Sequence, residues 1–210
     1  MKTLICSIML LNVFLFYCIA QDTIIPTDLS RYNKELKPGI TQDKVMEITT
    51  KKMDEAKQNT LGKLIPRVFV QNADKKVIEL RTLLKKHNIL AITATHCSWG
   101  KTGLLEDLPK AIKRLEEENI KCNVICLLVR DTVDQLDTAS FNSLLNQLMY
   151  VYPVTCIIKK TEADKLNFYA SPTRYILDKR GLVSYYSLGV SSSEDGLFNE
   201  LKGALSTIND

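Results

Sequence analysis

The stretch from residue 89 to residue 101 constrains the fold more than any other part of the sequence. Residues 89–95 form an apolar, β-branched run that is typical of a buried strand. Apolar residues then recur at helical spacing, at Leu104, Leu105, Leu108, Ile112 and Leu115. Cys97 therefore stands at a strand-to-helix junction, where unpaired backbone N–H groups and the helix dipole favour a thiolate. The pattern predicts a reactive cysteine.

Two motifs resemble those of a known family. Residues 92–101 read ITATHCSWGK and resemble the FWATWCPPCR signature of thioredoxin-like thiol–disulfide oxidoreductases of the TlpA type. Residues 171–181 read SPTRYILDKRG and are similar to the family's TPT-x-FLID-x-x-G segment. The resemblance covers roughly residues 61–207 and extends to the related AhpC/TSA-like proteins.

The resemblance implies an α/β fold, a thioredoxin-like sandwich in which helices flank a central mixed sheet, with an N-terminal helical extension. It also implies that the Ser171–Pro172 bond is cis and that Pro172 lies near Cys97. A substrate groove would then be formed by Trp99, Gly100, Ser171, Pro172 and Thr173. One position departs from the family pattern, because this chain has Gly100 where a dithiol enzyme has its second cysteine.

Gly100 limits the chemistry that the site can carry out. A thiolate at Cys97 can attack a disulfide, but a fast dithiol cycle needs a second thiol nearby. The sequence therefore favours monothiol reactivity of Cys97, related to that of thiol–disulfide oxidoreductases. The alternative is a non-catalytic thioredoxin-fold module that binds polypeptides. A cysteine introduced at position 100 would share a helical face with Cys97, so Gly100→Cys is expected to create a dithiol without backbone movement.

His96 occupies the place of the family's aromatic residue before the cysteine. As a cation it would favour the Cys97 thiolate, although neighbouring residues on an extended strand point to opposite faces. A partly exposed histidine without a chemical role is the alternative. His87 is the only other histidine in the sequence, so we expect no metal site, and the resemblance implies no cofactor.

Composition and the N-terminus indicate where the chain acts. The net charge is +4 and no arginine-rich block is present, which disfavours nucleic-acid binding. Residues 1–20 are interpreted as a signal peptide, because Lys2 precedes an apolar run that ends in a small-x-small cleavage site, Cys18-Ile19-Ala20. An uncleaved membrane anchor is the alternative, for which the run is somewhat short. The interpretation implies export to the periplasm or cell envelope without a stable membrane anchor, and partners that are polypeptide thiols or disulfides there.

Three segments follow from these patterns: a signal peptide at 1–20, an N-terminal extension with one helix at 21–60, and a thioredoxin-like domain at 61–210. Thr41 is a suitable cap for a helix that runs to about Gln58, which either docks on the domain or forms a partner surface. The patterns also predict hairpin strands at 67–71 and 76–80 and a charged loop at 159–165. Pro109 is expected to kink the helix that follows Cys97.

The remaining cysteines are expected to be structural. Cys122 and Cys126 lie on one predicted strand, about 13 Å apart at the usual rise per residue, which is too far for a disulfide. Cys126 and Cys156 are interpreted as small buried hydrophobic residues. Cys122 stands at the start of its strand and is expected to be more exposed.

Overall fold

The computed structural model describes residues 23–28, 34–36, 39–131, 137–191 and 194–207. The signal peptide predicted at residues 1–20 lies outside the described residues. Within the described ranges, no helix combines the length and the apolar character that crossing a membrane requires.

A mixed seven-stranded sheet forms the centre of the molecule. In chain order its strands are β1 Phe69–Gln71, β2 Val77–Glu79, β3 His87–Ala94, β4 Asn123–Arg130, β5 Val154–Lys159, β6 Thr173–Asp178 and β7 Val183–Leu188. Their spatial order is β2-β1-β5-β4-β3-β6-β7. Strands β3, β4 and β5 run parallel, whereas β6 is antiparallel to β3 and β7 is antiparallel to β6. The two hairpin strands β1 and β2 are shorter than the apolar pattern predicts.

Helices cover both faces of this sheet. They are α1 Gln42–Gln58, α2 Ser98–Thr102, α3 Leu108–Glu117, α4 Thr138–Val151, α5 Lys160–Asp164 and α6 Glu194–Ser206. Because successive side chains of a strand point to opposite faces, the sheet separates two hydrophobic cores. Leu90, Ile92 and Cys156 face the core that contains Ala56 of α1. Ile89 and Cys126, among others, face the core that α3, α4 and α6 close.

Helix α1 docks on the domain, which was the first of the two expected arrangements. The helix begins after Thr41, whose Oγ1 accepts a hydrogen bond from the Lys44 N–H at 3.4 Å and so caps the first turn. Ile48 and Ala56 are buried on its inner face. The opposite face carries charged side chains, which is the pattern expected of a helix packed on one side.

The helical segment after Cys97 is interrupted by a π turn at Gly103–Asp107, between α2 and α3. Pro109 follows this turn and lies in the first turn of α3. Backbone N–H groups in the first turn of a helix have no helical partner, so a proline there removes no hydrogen bond. Where the sequence predicts a kink at Pro109, the structure therefore has a widened turn just ahead of the proline.

The charged segment after β5 differs from its prediction. Residues 159–165 were expected to form a loop, but Lys160–Asp164 forms the short helix α5. An ion pair between Lys160 and Asp164, four residues apart, spans this helix. The prediction was wrong because a single helical turn is too short to show a 3.6-residue hydrophobic period.

Candidate functional site

Cys97 lies between the end of β3 and the start of α2, as the N-cap residue of that helix. Its Sγ accepts a hydrogen bond from the Gly100 N–H at 3.3 Å. The thiol also donates to the Ser171 carbonyl oxygen at 3.3 Å. The side chain is half-buried, so a reagent or a partner can reach the sulfur. The sulfur therefore contacts one backbone donor and one backbone acceptor.

Gly100 is packed so closely that the surrounding atoms leave no room for a side chain. A Cβ atom built on Gly100 would overlap Ser171 Oγ and would lie 2.6 Å from Thr93 Oγ1. These two hydroxyl groups are hydrogen-bonded to each other at 2.8 Å, and the Ala94 N–H donates to Ser171 Oγ at 3.3 Å. Gly100→Cys is therefore expected to form a dithiol only if the Ser171 and Thr93 side chains move out of the space that its side chain would need, even where the backbone stays in place.

Ser171 and Pro172 bring the loop before β6 against the Cys97 helix. The Ser171–Pro172 peptide bond is cis, and a Cβ atom built on Gly103 would lie 3.0 Å from Pro172 Cγ. The Pro172 carbonyl accepts a hydrogen bond from the Gly189 N–H at 2.7 Å. Thr173 follows as the first residue of β6 and is fully buried. Its side chain donates to the Ala170 carbonyl, so it does not line an accessible groove as the sequence suggested.

The accessible part of the predicted groove is apolar. Trp99 of α2 is 67% exposed, although aromatic side chains of this size are usually buried. Val190 is 43% exposed, and its Cγ1 lies 3.8 Å from the Cβ position of Gly103, one turn beyond Trp99. These two exposed apolar side chains lie on and beside the helical segment that begins after Cys97. We call this surface the apolar border.

His96 is directed away from the Cys97 sulfur. Its Nε2 lies 3.4 Å from Asp131 Oδ2, just beyond the end of β4, and its Nδ1 lies 3.2 Å from Thr95 Oγ1. His96 lies in the turn between β3 and α2, and its ring contacts these two side chains instead of the sulfur. Any effect of His96 on Cys97 must therefore act through its charge.

Two buried residues of the site were not singled out by the sequence. Thr93 is fully buried and positions Ser171 through the hydroxyl pair. Arg174 is 2% exposed and donates from Nη2 to the Gly189 carbonyl at 2.8 Å, which holds the segment that backs Pro172. Burial lowers the pKa of Arg174 from its ordinary value. A threonine in a β-branched run and an arginine in a charged motif carry no signal that would have identified them.

The other described cysteines lie away from the site, and all of them are free thiols. Cys126 and Cys156 are buried in cores on opposite faces of the sheet. Burial raises the pKa of Cys122 and of Cys156 to about 11, and that of Cys126 higher still. In Cys122 the charge of Glu116 adds to the effect of burial.

These differences predict the order in which iodoacetamide modifies the thiols. At about pH 8, Cys97 is expected to react before Cys122, because burial and the charge of Glu116 raise the pKa of Cys122 to about 11 and keep that thiol almost wholly protonated. Cys126 and Cys156 should react only after unfolding in urea. Peptide mapping by mass spectrometry over time measures the order. Modification of Cys126 or Cys156 in the folded protein at the rate of Cys97 would contradict the burial described above.

Comparison with solved structures identifies the fold. The thioredoxin domain of a thiol–disulfide oxidoreductase from Bacteroides vulgatus is 12% identical, with a TM-score of 0.53 over 71% of this chain and 99% of that chain. A thioredoxin-like protein from Bacteroides caccae is 18% identical, with a TM-score of 0.53 over 83% of this chain and 59% of that chain. No family model and no curated protein matches the sequence. The structural likeness confirms the predicted thioredoxin-like sandwich.

A third similar structure contains a metal. Copper-bound ScoI from Arabidopsis thaliana is 17% identical, with a TM-score of 0.51 over 67% of this chain and 97% of that chain. In the described ranges of the present chain, no three side chains of His, Cys, Asp or Glu are grouped so that they could hold a metal ion. The likeness between the two proteins is therefore one of fold.

Proposed function

We propose that this chain is an exported thioredoxin-like protein that exchanges disulfides with polypeptides of the cell envelope through Cys97 alone. The observation that carries the proposal is the environment of the Cys97 sulfur. The thiol is half-buried, its Sγ accepts the Gly100 N–H at a helix start, and the same helix carries the exposed Trp99 of the apolar border. An accessible thiol between an N–H donor and an apolar surface suits attack on a disulfide within a polypeptide.

The proposed step is a thiol–disulfide exchange. The Cys97 thiolate attacks one sulfur of a partner disulfide, and a new S–S bond forms as the partner's own S–S bond breaks. The second partner sulfur leaves with the electron pair as a thiolate. A thiol of the partner, or a low-molecular-weight thiol, then attacks the mixed disulfide and releases Cys97. The number of disulfides is unchanged through both steps, so no further oxidant or reductant is needed.

The positions of the other thiols favour this monothiol mechanism. Cys126 and Cys156 are buried in the two cores. Cys122 immediately precedes β4, whereas Cys97 follows the parallel strand β3. The two thiols are therefore at opposite ends of the sheet, separated by a strand length of roughly 23 Å. We propose that His96 modulates the thiolate only through its charge, because its ring contacts Asp131 instead of the sulfur.

A disulfide-trapping experiment tests the proposal. Incubation with a peptide that carries a glutathione mixed disulfide is expected to give a covalent adduct on the natural protein. Cys97→Ser should abolish the adduct, and the matched control Cys122→Ser should leave its rate unchanged. Mass spectrometry of the quenched reaction measures both. We expect no catalysis of insulin reduction by dithiothreitol, and turnover that disappears in Cys122→Ser or Cys156→Ser would instead show that a distant thiol resolves Cys97.

The alternative is a non-catalytic module that binds polypeptides, and the exposed Trp99 is the observation that favours it. An extended peptide would pair its backbone with the loop at Ser171 and place an apolar side chain on the apolar border. In that case Trp99→Ala would weaken peptide binding while Cys97→Ser would not, and Cys97 would be inert in the trapping experiment.

A further inference from the structure

A second cleft opens at the opposite end of the sheet from Cys97. It has a volume of about 620 Å³ and lies between helix α3 and the first residues of β3, β4 and β5. His87, Asn123 and Val154 mark the ends of those three strands in its wall. The length of β3, roughly 23 Å, separates the cleft from the reactive thiol. The mechanism proposed for Cys97 makes no use of it.

The rim of this cleft is strongly cationic. Lys85, Lys86, Lys113 and Lys121 line it, and Glu116 is the one carboxylate among the described residues of its lining. Within the described part of the chain, the ammonium groups of Lys85, Lys113 and Lys121 have no ion-pair or hydrogen-bond partner. His87 Nε2 is buried and also lacks a partner, which is unusual for a buried ring nitrogen. Among the described residues, the rim thus carries exposed ammonium groups that no carboxylate neutralises, and the lining includes one buried ring nitrogen without a hydrogen-bond partner.

The floor of the cleft is apolar. Ile112, Val124 and Val151 contribute aliphatic side chains. Tyr152 adds only its ring, because its hydroxyl donates to the Leu104 carbonyl. The Asn123 amide is already engaged with the Leu83 carbonyl at 3.1 Å and with Asn88 Oδ1 at 3.0 Å. The floor is therefore suited to hydrocarbon and the rim to an anion.

We propose that this cleft binds a small amphiphilic carboxylate, with its hydrocarbon chain on the Ile112–Val124 floor and its carboxylate among Lys85, Lys113 and Lys121. The volume is within the range of small-molecule sites, roughly 300–1,000 Å³. A carboxylate accepts charge-assisted hydrogen bonds from lysine. Transfer of the hydrocarbon chain out of water lowers the free energy of the complex. The site is independent of the exchange reaction proposed for Cys97.

Decanoate is a suitable probe, with decanol as the uncharged chain and inorganic phosphate as the anion without a chain. Decanoate is expected to bind the full chain in isothermal titration calorimetry, and decanol and phosphate at least tenfold more weakly. The variant Lys113→Ala/Lys121→Ala should weaken decanoate binding about tenfold, equivalent to about 1.4 kcal/mol. The matched control is Lys110→Ala, which removes an exposed lysine of the same helix α3 that does not line the cleft.

Thiol protection locates the bound probe. Cys122 lines the cleft and Cys97 does not, so decanoate should slow alkylation of Cys122 and leave that of Cys97 unchanged. Equal binding of decanol or phosphate, no effect of the lysine pair, or protection of Cys97 instead of Cys122 would each overturn the proposal. Binding to anionic vesicles without binding of free decanoate would also overturn it, in favour of a membrane surface.

Discussion

Replacing Gly100 by alanine is expected to lower the free energy of unfolding by about 2–4 kcal/mol. The added methyl group would overlap Ser171 Oγ and approach Thr93 Oγ1 and Ser171 Cβ. Thr93 is fully buried, so these groups can move only by breaking the Thr93–Ser171 hydrogen bond and shifting the loop beside Cys97. Urea unfolding monitored by Trp99 fluorescence measures the loss.

The matched control for this prediction is Gly203→Ala. Gly203 lies within helix α6 and has nothing within 4 Å of its Cβ position, so alanine there should stabilise the protein by about 0.5–1 kcal/mol. The double variant Gly100→Ala/Ser171→Ala should recover part of the loss, since it removes the overlapping hydroxyl. A Gly100→Ala protein as stable as the natural one would show that this contact is not tight. By the same reasoning, Gly100→Cys alone should not yield an insulin reductase.

Replacing Asn167 by alanine is expected to destabilise the protein by about 3–5 kcal/mol. Asn167 is fully buried, and its side chain joins the N-terminal segment to the domain. Its Oδ1 accepts from the Thr27 N–H at 2.8 Å, and its Nδ2 donates to the Ile25 carbonyl at 3.1 Å and to Thr60 Oγ1 at 2.8 Å. Alanine would remove these hydrogen bonds from the Ile25 carbonyl and Thr60 Oγ1. The Thr27 N–H would keep only its bond to the Tyr169 hydroxyl at 2.8 Å. Urea unfolding again gives the free energy.

Asn167 also adopts a positive φ of 57°, which disfavours alanine in its own right. Asn119 provides the control, because it has a φ of 63° but is exposed. Asn119→Ala should therefore lose only the backbone contribution, about 1–2 kcal/mol. If both variants were destabilised equally, the hydrogen bonds of Asn167 would not be what holds the N-terminal segment.

The elements that position Cys97 could be predicted because their signals are local. The β-branched run of β3 and the helical spacing from Leu104 to Leu115 identify the junction without reference to the rest of the chain. The same applies to α1, which begins after Thr41 and ends at Gln58. Short elements such as α5 carry too few residues for any periodicity to be recognised.

Contacts between distant parts of the chain could not be predicted in this way. Thr93 and Ser171 are 78 residues apart in sequence, and their hydrogen bond depends on the pairing of β3 with β6. The two hydrogen-bonded hydroxyl groups fill the space beside Gly100. The sequence pattern alone could not show this. The cationic cleft likewise combines residues from Lys85 to Val154, which only the parallel arrangement of β3, β4 and β5 brings together.

Because of the π turn at Gly103–Asp107, the position of Cys97 does not depend on how α3 packs against the sheet. A π hydrogen bond encloses one residue more than an α-helical one. The turn therefore accommodates one extra residue while the two flanking helices keep their orientation. Leu104 and Leu108 both reach the same core on either side of it. The segment between α2 and α3 is therefore a place where the chain length can change by one residue while Cys97 keeps its position at the helix start.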